Sequence, residues 1–131
     1  MQPSRKTKLA YLEGRIMTVT MYGIPNCDTI KKAKKWLENQ QVDYHFHDYR
    51  KHGIDKPMVE QFCHQLGWEN VINKRGTTYR QLSQEQKDSL NETSVIQLLV
   101  DQPAMIKRPI LSHGEQLHVG FKPDTYQSIF S

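Results

Sequence analysis

The chain has 131 residues, enough for one domain with a substantial core. At 37% apolar and 24% charged residues, its composition excludes a disordered or fibrous chain. Of the formal net charge of +4, residues 1–16 hold +3 through Arg5, Lys6, Lys8 and Arg15 against Glu13, so the body keeps +1 and has no nucleic-acid footprint.

The leader's longest apolar stretch, Leu9-Ala10-Tyr11-Leu12, is too short for a signal-peptide core. No apolar run is long enough to cross a membrane. Cys27 and Cys63, 36 residues apart, match no zinc-type spacing, and two thiols without a secretory signal are expected to be free. These features predict a cytoplasmic, monomeric protein that binds neither membrane nor nucleic acid. Residues 1–16 read as a disordered leader before a start at Met17, and 17–131 as a single domain.

In chain order, Thr18-Val19-Thr20-Met21-Tyr22 reads as a first strand, stopped by Gly23 and Pro25. A helical period over about 27–41 follows, with Ile30, Ala33 and Leu37 on one face. Cys27 falls in the first turn of that helix. Unpartnered N–H groups and the positive end of the macrodipole there favour a thiolate, the nucleophilic form. On a helical wheel Lys31 lies about 40° from Cys27 and Lys34 about 20° to its other side.

Residues 43–49 alternate as a second strand, and a crossover helix implies parallel pairing with the first. His45 and His47 would share a face with Tyr49, yet with no third ligand placed nearby a polar strand face is expected and no metal. Asp55-Lys56-Pro57 opens a helix to about Leu66 whose buried stripe of Val59, Phe62, Cys63 and Leu66 makes Cys63 structural. Residues 71–79 read as a polar connector. Ser83 opens a short capping-box helix, and Thr93 or Ser94 caps another with Val95, Ile96, Leu99 and Val100 as its apolar face. Residues 55–102 thus form a helical insert. Residues 105–111 and 116–121 flank a glycine-containing turn as a hairpin, with a cis bond at Arg108-Pro109 suited to a sharp approach to a site. A last helix begins at Lys122-Pro123-Asp124.

Three separated blocks in this order, Gly23-Ile24-Pro25-Asn26-Cys27-Asp28-Thr29-Ile30-Lys31-Lys32-Ala33, Asn73-Lys74-Arg75-Gly76-Thr77-Thr78, and Ile106-Lys107-Arg108-Pro109-Ile110 with Val119-Gly120-Phe121, resemble the arsenate-reductase (ArsC)/Spx family, and within it the YffB-like subgroup. The resemblance covers about residues 17–131. It implies an α/β, thioredoxin-like fold: a four-stranded mixed sheet formed by a βαβ unit, a β-hairpin and a C-terminal helix, with an ArsC-type helical insert. It also implies a catalytic Cys27 and a substrate- or glutathione-binding set of Asn26, Lys31, Arg75, Arg108, Pro109 and Lys122, with Asn73 as the alternative to Arg75. The family's arsenate reductases carry histidine where this chain has Gly23, serine where it has Ile30, and a third arginine near Lys122. Spx-type regulators generally carry Cys-x-x-Cys, and Ile30 removes the second thiol. The expected function is therefore a monothiol, glutathione-linked thiol–disulfide reductase with no bound cofactor and glutathione as co-substrate. The alternative is a non-enzymatic, Spx-like adaptor binding a protein partner such as the transcription machinery. Arsenate reduction ranks behind both.

Overall fold

A computed structural model describes residues 18–131, so the expected leader 1–16 and the start at Met17 lie outside the described residues. Contacts divide the chain into two compact units, whose described parts are residues 18–48 with 108–131, and residues 49–107.

The first unit is built on a sheet of four strands in the order β2-β1-β3-β4. Strand β1 (Val19–Gly23) leads through a four-residue loop to helix α1 (Asp28–Asn39), which returns the chain to β2 (His45–Asp48). β1 and β2 are parallel, as a crossover helix requires. β3 (Ile110–His113) and β4 (Gln116–Val119) form a hairpin, and β3 lies antiparallel to β1. Gly114, at φ 62°, supplies the left-handed residue of the hairpin turn. α8 (Pro123–Ile129) closes the unit.

α1 belongs on this sheet because its Ile30, Ala33 and Leu37 recur on one face and are fully buried. They pack with Met21 and Leu111 from the strands and with Tyr126 and Phe130 from the C-terminal segment. Tyr126 stands edge-on to Trp36 at 5.5 Å and to Phe121 at 4.7 Å between ring centroids, the geometry that aromatic quadrupoles favour. Full burial of each such aliphatic side chain contributes roughly 1.5–3 kcal/mol of transfer free energy.

The second unit consists of α2 (Tyr49–His52), α3 (Lys56–Leu66), α4 (Trp68–Val71), α5 (Thr77–Arg80), α6 (Gln84–Asp88), α7 (Glu92–Asp101) and a 3₁₀ turn (Pro103–Met105). α3 packs against α4 and α7. Asp55 caps α3 by accepting the Met58 N–H at 2.9 Å, with Pro57 in the first turn as the sequence predicts. Ser83 and Gln86 form the expected capping box. Cys63 is buried on the α3 stripe, where burial, and then the Glu92 carboxylate, push its thiol up to about 11.

Several boundaries differ from expectation, each for a tertiary reason. The second strand stops at Asp48, and Tyr49 starts a helical turn in place of extending the strand, because the ladder with β1 ends where β1 ends, at Gly23↔Asp48. Residues 71–79 are a connector only in part. Val71 ends α4, Ile72 pairs with Ile106, and Thr77–Tyr79 begin α5. The cap of α7 is neither Thr93 nor Ser94. Asn91 Oδ1 accepts the Ser94 N–H at 2.9 Å and Ser94 Oγ accepts the Asn91 N–H at 2.9 Å, so Ser94 is the third residue of a capping box. Replacing Asn91 by Ala should cost about 1 kcal/mol in urea denaturation, whereas Thr93→Ala should stay within about 0.5 kcal/mol of the parent; equal losses at the two positions would contradict this capping assignment.

Candidate functional site

The loop from β1 to α1 carries the first site residues. Cys27 is the N-cap of α1, one position earlier than the sequence suggests, with extended backbone at φ −141° and ψ 127°. Its N–H donates to the Pro25 carbonyl at 3.0 Å, and its own carbonyl accepts from Lys31 N–H at 3.0 Å, so the loop is closed by backbone bonds on both sides of the cysteine. Its side chain makes no capping hydrogen bond, is half-buried, and touches the core cluster on one side. The thiol therefore stands where the first N–H groups of α1 lack partners within the helix. Asn26 and Lys31 are exposed on either side of it in sequence. Asp28 lies in the first turn, where its charge suits the helix dipole. Lys34 is engaged elsewhere: its ammonium sits 3.6 Å from the centroid of the Phe46 ring.

Sheet register brings the other first-unit residues to the same end. Tyr22 is paired with Ile110, so one further step places Pro109 beside Gly23, at the mouth of the cysteine loop. The Arg108-Pro109 bond is cis, as expected. The Pro109 carbonyl accepts from Gly120 N–H at 2.8 Å, which ties the end of β4 to the same place. Lys122 follows as the exposed N-cap of α8, its carbonyl accepting the Tyr126 N–H at 3.1 Å. Cys27, Arg108, Pro109 and Lys122 thus belong to three segments that converge on one end of one sheet. The pairings of β1 with β3 and of β3 with β4 are what bring them there.

Arg75 belongs to the second unit. It lines a depression there with Lys74 and Lys107, which the sequence reading did not single out. Asn73, the alternative position, spends its side-chain oxygen on the Arg75 N–H at 3.2 Å. His45 and His47 lie on one face of β2, and the His47 ring rests 5.1 Å from that of Tyr22, its ladder partner. No helix among the described residues is long and apolar enough to cross a membrane.

The sequence profile described as the ArsC family matches residues 22–129. The chain belongs to the ArsC family. A solved YFFB protein superposes on it with a TM-score of 0.83 at 46% identity, over 87% of this chain and all of the other, so the fold is the thioredoxin-like one of this family. An uncharacterised protein of Haemophilus influenzae is 42% identical over 113 residues, 86% of this chain and 99% of its own length. A global transcriptional regulator Spx of Lactiplantibacillus plantarum is 28% identical over 109 residues, 81% of each chain.

Within this ArsC-family chain, the two departures at Gly23 and Ile30 are one packing feature. A Cβ on Gly23 would lie 2.5 Å from the Ile30 Cδ1 methyl and 3.8 Å from the Phe46 ring. Ile30 is fully buried, so its side chain occupies the space that a side chain at position 23 would need. The sequence displays both residues but not that they touch. Gly23→Ala should destabilise by about 1–3 kcal/mol through overpacking. In an Ile30→Val background, where that methyl is gone, the penalty should fall, giving a coupling of about 0.5 kcal/mol or more in a double-mutant cycle. Additive penalties would contradict the contact.

Proposed function

We propose that the protein is a monothiol, glutathione-linked thiol–disulfide reductase that uses Cys27 as its nucleophile. The observation that carries the reading is the placement of Cys27: a half-buried thiol at the N-terminus of α1, with buried Ile30 filling the position at which a dithiol motif would supply a second thiol. With no neighbouring thiol to resolve an adduct, the resolving thiol comes from solution.

The Cys27 thiolate attacks the glutathionyl sulfur of a mixed disulfide, RS–SG. The RS–SG bond breaks, the substrate leaves as RS⁻ and takes a proton, and a Cys27–SG disulfide forms. A second glutathione thiolate then attacks the glutathionyl sulfur of this adduct. Oxidised glutathione leaves and Cys27 returns as thiolate, so each turnover consumes one glutathione thiol and converts RS–SG into RSH and oxidised glutathione. Lys31, Arg108 and Lys122 are proposed to receive the carboxylates of glutathione, Arg108 through its planar fork, while Asn26 and Pro109 shape the approach to the sulfur. Arsenate reduction is the weaker reading, since Gly23 and Ile30 withhold the imidazole and hydroxyl of the arsenate reductases. Relatives named global transcriptional regulators support a second reading, an adaptor that binds a protein partner without turnover.

Turnover of a glutathionylated peptide, coupled to glutathione reductase, tests the proposal. Wild type and Cys63→Ser should both turn over, with double-reciprocal lines that stay parallel as either substrate is varied, the pattern of a covalent intermediate released before the second thiol reacts. Cys27→Ser should lose activity to background. In that variant the remaining Cys63 thiol should alkylate slowly near pH 8 and faster only as the pH rises toward its raised value of about 11. Full partner binding with no turnover in wild type would favour the adaptor.

A further inference from the structure

The second unit carries another depression, of about 260 Å³, along α3 and the start of α7. It is lined by Lys56, Glu60, His64, Glu92, Thr93 and Ile96, and none of these belongs to the residues assigned to the cysteine chemistry. Lys56, Glu60 and His64 recur every four residues, so they stand one above the next on a single face of α3. Glu92 and Ile96 repeat the spacing on α7.

The charges are laid out in order along this groove. Lys56 occupies one end, Glu60 follows about 6 Å along the helix axis, and His64 one further step on. Glu92 joins the far end, where its Oε1 lies 3.2 Å from His64 Nε2. Those two side chains are 59% and 47% exposed, so the pair holds weakly and a ligand can exchange with it. Lys56 and Glu60, although neighbours on one helix face, do not pair. Among the described residues neither has an oppositely charged group within ion-pair distance. Ile96, buried, supplies the apolar lining between the charged groups.

We infer that this groove binds an arginine carrying a free α-carboxylate, as the amino acid itself or as the last residue of a peptide. A guanidinium presents five N–H donors in a rigid plane, and its two edges serve two separate carboxylates, here Glu60 and Glu92. A metal ion fits the set less well, because among the described residues Glu60, His64 and Glu92 do not gather closely enough to share one. The methylene stem of the ligand lies along Ile96. Its carboxylate meets Lys56, an end at which a guanidine without a carboxylate would face a bare ammonium. The volume falls below the range of about 300–1,000 Å³ usual for ligand pockets, which suits a single residue.

The test uses the full chain carrying Cys27→Ser, so that thiol chemistry contributes nothing and the result is independent of the function proposed above. Amide and His64 ring signals are followed in NMR titrations at constant ionic strength. L-Arginine should give saturable shifts at Glu60, His64, Glu92 and Thr93. Agmatine, which lacks the carboxylate, and L-citrulline, which lacks the charge, should each bind about tenfold or more weakly. N-Acetylglycyl-L-arginine matching L-arginine assigns the groove to a peptide end, and binding of L-arginine alone assigns it to the free amino acid; either result supports the inference. Glu60→Gln, nearly isosteric, should weaken L-arginine about tenfold or more. Lys56→Ala, at an exposed position, should erase the difference between L-arginine and agmatine, and the ligand-free spectrum of each variant reports that it is folded. Shifts that do not saturate, that sodium chloride reproduces, that citrulline matches, or that survive Glu60→Gln unchanged would overturn the inference.

Discussion

The antiparallel pairing of β1 with β3 decides what can meet in the first unit. Val19 to Tyr22 face His113 to Ile110 in register, and a slip of one residue would turn every side chain of β3 to the opposite face of the sheet. That slip would expose Leu111, which is fully buried against α1, so the core holds the register. Because the register is held, Pro109 arrives beside Gly23. The arrangement at this end of the sheet is therefore a consequence of where Leu111 must be buried, and Cys27 inherits its surroundings from it.

The same core shapes the cysteine loop. Ile30 is at once a core residue, the filler of the space above Gly23, and the residue three positions after Cys27, where a Cys-x-x-Cys motif would place its second thiol. One branched apolar side chain thus stabilises the helix-to-sheet contact and occupies the position that a second thiol would need. In the proposed chemistry such a site holds one half-buried thiol and takes the second one from its reaction partner.

Much of this was legible in the sequence, and the reasons are local. The change of hydrophobic period from two to 3.6 across Gly23 and Pro25 marks strand, loop and helix, and so places Cys27 to within one residue. The hairpin, the Asp55 cap and the Ser83 box are likewise written in neighbouring residues. What escaped depends on pairing over distance. The end of β2 is set by the length of β1. Asn91 caps α7 through a reciprocal pair three residues apart, and the usual form of that box begins with serine or threonine and ends with glutamate or glutamine, so Asn91 and Ser94 do not display it. Lys107 joins Lys74 and Arg75 through the Ile72–Ile106 bridge and the backbone bonds on either side of it, and nothing in the residues around it announces that partner.

In the proposed chemistry Cys27 alone reacts, and it does so with glutathione. The most direct measurement is the intact mass of the native full chain after brief exposure to oxidised glutathione at neutral pH, followed by peptide mapping. One glutathione per chain is expected, carried on the peptide containing Cys27 and removed by added reduced glutathione, with buried Cys63 unmodified. An unmodified chain, or an adduct on Cys63 while the protein remains folded, would contradict it.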